Sequence, residues 1–272
     1  MLMLAKPFLP GRPRIVLREA SIPSAFLTQV ARNPRILKWM YRRLYPKADQ
    51  IICLCDAAIN DMVEHLGISR DKLVRIYNPV DVEMLRRLAE GDKTPYTTPG
   101  PHVMAMGRLQ REKAYDVLLR AFSSVLKTLP KAKLTILGEG PLEAQLKKQA
   151  VELGIGQVVA FPGFQKNPWP YVKHADLFVL ASRFEGLPNA LLEVLALGVP
   201  VVATDCPGGV REIQKSVREI VLVPPEDHVA LAAGIVAALS NPTGERPSSQ
   251  QVAEGLSDFD LQHAIREYSQ LF

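Results

Sequence analysis

A chain of 272 residues, 47% of them hydrophobic, is long enough for two compact domains and a sizeable core, so a soluble globular protein is expected. Its three cysteines (Cys53, Cys55 and Cys206) do not make a disulfide framework, and no second Cys or His cluster completes a zinc site. The net charge of +5 is uneven: ten Lys/Arg against Glu19 and Asp49 give residues 1–50 a charge of +8, leaving −3 for the rest. Such a basic segment suits phosphate, nucleic acid or an anionic membrane, and composition does not choose among them. No run of about 18 apolar residues occurs, so no spanning helix is expected. In the opening MLMLAKPFLPGRPR, Lys6 and the prolines interrupt any apolar leader and no small-residue cleavage site follows. The expected location is the cytoplasm, with the inner face of the cell membrane as a peripheral option.

In chain order, IVLRE (15–19) and QIICLC (50–55) predict strands, and 34–46 predicts a helix between them. Cys53 and Cys55 alternate along the second strand and so point to one face as buried thiols. YNPVD (77–81) predicts a turn leading into the short helix DVEMLRRLAE. Two strands are too few for an independent α/β domain, so residues 1–90 are expected to be the latter part of one. GDKTPYTTPGP (91–101) is dense in Gly, Pro and Thr and predicts an interdomain linker. Beyond it come strands HVMAM (102–106), KLTIL (133–137), VVAF (158–161), DLFVL (176–180), PVVAT (200–204) and EIVLV (219–223). Helices are expected between the first two, where Val117, Leu118, Ala121, Phe122, Val125 and Leu126 recur at helical spacing, and at 141–153, 188–197 and 227–239. Strands that are apolar almost throughout, separated by helices, predict an α/β domain over 102–250 with a Rossmann-like parallel sheet covered on both faces. After the polar stretch NPTGERPSSQQ, the segment FDLQHAIREYSQLF predicts a final helix within 256–272.

Ligands of such sheets gather where strands hand over to helices, and each chemically suggestive stretch falls there. GRLQREK (107–113) places Arg108 and Lys113 five residues apart after a strand, so both cations would converge on an anion such as a diphosphate. Two solvated surface charges fit the same stretch. LGEGPLE (137–143) has Gly138 and Gly140, which permit close backbone approach, but lacks the third glycine of a dinucleotide fingerprint, and a plain turn fits equally. In SRFEGLPNALLEVLALG (182–198), Glu185 lies in a loop and Glu193 inside an apolar helix. A carboxylate among Leu191, Leu192, Val194 and Leu195 needs donors. The paired hydroxyls of a ribose would supply them, and so would a neighbouring cation.

Together GRLQREK, LGEGP, FPGF, ADLFVLASRFEGLPNALLEVLALGVPVVATDCPGGVREI and LVPPED resemble, in order and spacing, the donor-binding half of the retaining family 4 glycosyltransferases of the GT-B fold. The E-x7-E element of Glu185 and Glu193 is the most specific part. Residues 48–81 resemble the end of that family's N-terminal, acceptor-side domain, and the final helix resembles the segment that crosses back onto it. The resemblance implies a hexose or N-acetylhexosamine moved with retention from a nucleotide sugar, most simply a UDP-sugar, to a glycan or lipid-linked acceptor. It implies that Arg108 and Lys113 hold the diphosphate, that Glu193 accepts from the ribose, and that Glu185 faces the sugar. It places Gly107, Gly138 and Gly140 beside the phosphates, the amides around Gly186, Leu187 and Asn189 near phosphate and hexose, and Gly163 and Phe164 beside the base. No metal is expected, since no D-x-D or His cluster accompanies these residues, and no cofactor beyond the donor.

Three departures from the family pattern carry expectations. Ala114 replaces a glycine and would restrict its loop to negative φ. PPED replaces PPGD, and SVREIVLV lacks the usual glycine. Nothing matches the family's opening strand and Gly-rich loop, so about half of the N-terminal domain is expected to be lacking, with a sheet edge left for another chain to cover. The same residues also fit a catalytically silent nucleotide-sugar-binding module or a GT-B UDP-sugar epimerase. PRILKWMYRRLYPK (34–47) would either lie on an anionic membrane or pack Ile36, Leu37, Met40 and Leu44 onto the core, the packed reading being the simpler. No recognition motif supports nucleic acid as a partner.

Overall fold

The computed structural model describes residues 10–11, 13–90, 94–217, 220–240 and 249–271. The opening nine residues, the first three of the linker, residues 218–219 of SVREIVLV and most of NPTGERPSSQQ lie outside them.

The first part contains β1 (Val16–Glu19), α1 (Pro23–Gln29), α2 (Pro34–Leu44), β2 (Gln50–Cys53), α3 (Asp56–Leu66), β3 (Leu73–Arg75) and α4 (Val82–Leu88). Its strands form a parallel sheet in the order β1-β2-β3. Three strands therefore precede the linker, not two: β3 has only three residues and pairs through Ile51 with Leu73 and Ile52 with Val74. Helix α3 ends at Gly67, whose φ of +70° suits the left-handed cap that closes a helix. Cys53 and Cys55 are both buried, in one cluster with Ile51, Ile59 and Met62.

The second part runs β4 (His102–Met106), α5 (Tyr115–Thr128), β5 (Lys133–Leu137), α6 (Glu143–Glu152), β6 (Val159–Gly163), α7 (Trp169–His174), β7 (Leu177–Leu180), α8 (Asn189–Ala196), β8 (Val201–Thr204), α9 (Val210–Ser216), β9 (Ile220–Val223) and α10 (His228–Ser240). All six strands are parallel, in the order β6-β5-β4-β7-β8-β9. Alternate residues serve opposite faces. Met104, Phe178, Leu180, Val201 and Ala203 join one core with α8 and α9, while Val103, Ala105, Leu177, Val179 and Val202 join the other with α5 and α10. Two buried faces explain the unbroken apolar strands. The order reverses between β4 and β7, the switch point at which sheets of this kind form a ligand crevice at the carboxyl ends of their strands.

The chain then returns. After α11 (Ser249–Gly255), the Val80 amide donates to Phe259 O at 2.8 Å, and α12 (Leu261–Ser269) delivers Leu271 to Ile52 and Ile76 under the first sheet.

Helix α2 differs from the simpler expectation. Leu37, Tyr41 and Leu44 pack inward, whereas Ile36 (62% exposed), Trp39 (59%) and Met40 (37%) face outward. The inward face is set by the Tyr41 and Tyr45 hydroxyls, which both donate to buried Glu19 Oε2, leaving the 36-39-40 stripe on the far side. Burial, and then that carboxylate, hold both phenols well above their ordinary pKa.

Candidate functional site

The loops after β4 and β7 line the crevice from both sides. After Met106, the Gly107 amide donates to Leu137 O, and a single 3-10 turn (Arg111–Lys113) leads into α5. Arg108 is exposed, and its side chain has no hydrogen bond or ion pair among the described residues. Lys113 turns inward: its Nζ donates to Glu185 Oε1 at 2.7 Å, with the two side chains 19% and 9% exposed. The residue joining this turn to α5 is Ala114, at φ +50° and ψ 36°. The expectation of negative φ is therefore overturned. A left-handed alanine costs about 1–2 kcal/mol, and here its fully buried methyl and the fixed ends of the turn hold it there.

Glu185 is 8% exposed at the end of the loop after β7. Its Oε1 also accepts from Ser182 Oγ at 2.5 Å, and its amide donates to Pro207 O. Thr204 at the end of β8 donates to Ser182 O, so the loop is anchored to the sheet beneath it. Glu185 Oε2 takes no hydrogen bond among the described residues, which leaves one acceptor oxygen of a fixed carboxylate for a ligand.

Pro188 caps α8, and the helix begins at Asn189. The amides of Gly186, Leu187 and Asn189 donate to no backbone group in this turn. They supply, with the helix dipole, the donors that anions favour. One turn into α8, Glu193 is half-buried and its side chain makes no hydrogen bond or ion pair among the described residues. Burial alone raises its pKa above the usual carboxylate value.

Gly138 and Gly140 are accounted for within the chain. A Cβ at Gly138 would sit 2.0 Å from Gly107 O and one at Gly140 2.4 Å from Leu109 O, so these glycines let the β5 loop lie against the β4 loop. At the end of β6, Gly163 takes φ +79° and leaves Phe164 69% exposed beside Glu139, whose Oε1 accepts the Phe164 amide.

The first part of the chain forms the opposite wall. A Cβ on Gly186 would lie 2.0 Å from Ala20 O, at the carboxyl end of β1. Asn78 Nδ2 donates to Asn189 Oδ1 at 2.7 Å, and the Arg111 guanidinium reaches Gln29 O. Glu212 of α9 accepts from the Asp56 and Ala57 amides, the first turn of α3, and from Tyr77 Oη. Sequence reasoning missed Glu212, Ser182 and Arg183. The last lies two residues before Glu185, but its partners, Asp116 and Glu226, are 67 and 43 residues away. Among the described residues, no three His, Cys, Asp or Glu side chains converge as metal ligands, and no helix is long and apolar enough to cross a membrane.

Family models match in two places: "Glycosyl transferases group 1" over residues 92–255 and "Glycosyltransferase Family 4" over residues 8–84. The N-acetylgalactosamine-N,N'-diacetylbacillosaminyl-diphospho-undecaprenol 4-alpha-N-acetylgalactosaminyltransferase of Campylobacter jejuni is 34% identical over 203 residues, covering 75% of this chain and 54% of the relative. The lipopolysaccharide 1,6-galactosyltransferase of Salmonella typhimurium is 32% identical over 165 residues, covering 58% of this chain and 44% of the relative. The chain thus spans about half the length of these curated relatives. Among solved structures, Anabaena HepE in complex with UDP and glucose superposes with a TM-score of 0.77 at 19% identity, covering 99% of this chain and 73% of the other. Sucrose-phosphate synthase of Thermosynechococcus elongatus gives 0.78 at 18% identity, covering 95% and 67%. The sheet order, the loops at its switch point and these matches agree: the chain belongs to the group 1 glycosyl transferases and has the α/β architecture of the GT-B fold.

Proposed function

We propose that the crevice between β4 and β7 binds a nucleotide sugar, most simply a UDP-sugar, and that the complete enzyme transfers its hexose or N-acetylhexosamine with retention to a glycan or lipid-linked acceptor. The observation that carries this is a pair of groups at a switch point that have no partner among the described residues: a half-buried Glu193 without a donor and an exposed Arg108 without an anion. A ribose diol answers the first and a diphosphate the second. The Lys113 ammonium has three donors, so it can keep Glu185 and still meet a phosphate oxygen. Breaking the anomeric C–O bond moves an electron pair onto the β-phosphate oxygen. Arg108, Lys113 and the amides opening α8 would stabilise that charge as it develops. With retention, the acceptor hydroxyl would attack from the face the phosphate leaves, and its proton would pass to that phosphate. Glu185 Oε2 would accept from a sugar hydroxyl, and Phe164 would cover the base.

The test is isothermal calorimetry with UDP. Arg108→Ala, which breaks no hydrogen bond or ion pair among the described residues, is expected to leave stability unchanged and weaken UDP by about 1.5–3 kcal/mol, the value of a charge-assisted hydrogen bond. Unchanged affinity would remove the diphosphate assignment. Because the chain spans about half of its curated relatives, a second reading, a nucleotide-sugar-binding module without transfer, stands beside the first. Donor incubated with and without a saccharide acceptor separates transfer, epimerisation and simple binding by their products.

The acceptor's setting is proposed from α2. Exposed Ile36, Trp39 and Met40 sit among exposed Arg35, Lys38, Arg42 and Arg43, and no acidic residue occurs from 20 to 48. An apolar stripe inside a cationic field matches an anionic bilayer surface. Sedimentation with vesicles should show salt-sensitive binding to anionic but not zwitterionic lipid. Trp39→Ala combined with Arg43→Glu should weaken it roughly tenfold or more, at about 1 kcal/mol per basic residue near the surface. Equal binding to both lipids would contradict it.

A further inference from the structure

We infer that Arg183 is a positioning residue of the donor site: beside the Lys113–Glu185 pair, its side chain locks the β4 loop bearing Arg108 and Lys113 to the β7 loop bearing Glu185. Every donor of its guanidinium is used. Nη1 donates to Arg111 O at 2.6 Å and to Asp116 Oδ1 at 3.0 Å; Nη2 donates to Asp116 Oδ2 at 2.9 Å and to Glu226 Oε2 at 3.2 Å; Nε meets Glu226 Oε1. Its own amide donates to Glu112 O at 2.8 Å. Arg183 therefore grips the 3-10 turn at two consecutive carbonyls and the first turn of α5 through a fork, while standing two residues from the carboxylate that Lys113 must reach. Its side chain is 11% exposed.

Two departures from the family pattern meet here. The only non-glycine residues with positive φ among those described are Ala114 (+50°) and Glu226 (+62°). Ala114 lies between the carbonyls that Arg183 holds and Asp116. Glu226 is the residue that replaces glycine in the PPED motif, and it presents its carboxylate to Arg183. The strain at both positions is thus borne where a fully hydrogen-bonded guanidinium over-determines the backbone. Burial pushes Asp116 up, but the Arg183 hydrogen bonds and charge, with Arg120, hold its pKa below the usual carboxylate range, so the fork stays ionised at neutral pH.

The inference rests on the donor reading, because what is positioned is a phosphate-binding turn. It is tested with Arg183→Lys and Arg183→Ala. A lysine keeps the charge but cannot fork. Two measurements are made on folded protein well below the melting transition: hydrogen exchange of the amides from 108 to 115, and the ratio of UDP to uridine affinity, which isolates the phosphates. Both variants should speed exchange in the turn about tenfold and cut the UDP-to-uridine ratio about tenfold, leaving uridine affinity alone. Glu226→Gly, which relieves a positive φ while the Asp116 fork remains, should change the ratio less than threefold without lowering the melting point. A lowered melting point with unchanged exchange and an unchanged ratio would make Arg183 merely structural and overturn the inference. If the wild-type protein does not prefer UDP to uridine, the donor-phosphate reading itself fails and the role assigned to Arg183 fails with it. Faster exchange in the turn would then show only that Arg183 orders the loop.

Discussion

Lys113→Ala is expected to lower unfolding stability by about 2–4 kcal/mol and to abolish measurable UDP binding. The stability loss follows from what remains: Glu185, 8% exposed, would keep Ser182 as its side-chain donor and lose its cation. Removing one member of a buried ion pair costs more than the pair contributes, because the survivor's desolvation is left uncompensated. Urea titration should show a lower midpoint at an unchanged slope. The double variant Lys113→Met, Glu185→Leu separates structure from binding. It should recover most of the stability, since a well-packed apolar pair can replace a buried ion pair, and recover none of the affinity. Restored UDP binding in the double variant would show that neither residue meets the ligand.

Glu193→Gln is expected to act in opposite directions on the two quantities. Burial raises the Glu193 pKa in the folded protein and no donor offsets it. Folding therefore favours the protonated form. With the folded value above the unfolded one, this carboxylate opposes folding at neutral pH, and the opposition fades as pH falls through the folded pKa. The amide carries no charge to desolvate, so the variant should melt higher than the wild type. It should bind UDP about ten- to a hundredfold more weakly, for the loss of charge-assisted bonds of about 1.5–3 kcal/mol, while binding pyrophosphate as before. UDP affinity relative to the Glu193→Gln variant should also fall as acid protonates the wild-type side chain. A variant that melts no higher, or loses UDP and pyrophosphate equally, would contradict the ribose role. Stability given up at a binding group is a common feature of ligand sites.

Much of the architecture was legible because the second sheet is buried on both faces. HVMAM and KLTIL are strands from their first residue to their last, each an apolar run closed by a glycine in its loop. Elements set by packing rather than pattern were not legible. β3 is three residues that acquire strand geometry only beside β2, and α7 is six residues beginning Trp169-Pro170. Helix α3 carried a clear C-terminal glycine, Gly67, that could have marked it. At the site, the rule that ligands gather after parallel strands singled out Arg108, Lys113, Glu185 and Glu193, and the structure places the first two after β4 and the other two after β7. Ala114 could not be placed correctly, since an intrinsic φ preference of about 1–2 kcal/mol is within reach of tertiary contacts. Glu212 and Arg183 act through partners 155 and 67 residues away, a distance no local pattern spans.

The most direct measurement is a crystal structure of the protein soaked with UDP. The expected result places the β-phosphate against the Arg108 guanidinium, the Lys113 ammonium and the amides opening α8, with both ribose hydroxyls within hydrogen-bond distance of Glu193. Nucleotide bound away from the crevice between β4 and β7, or a ribose turned from Glu193, would contradict it.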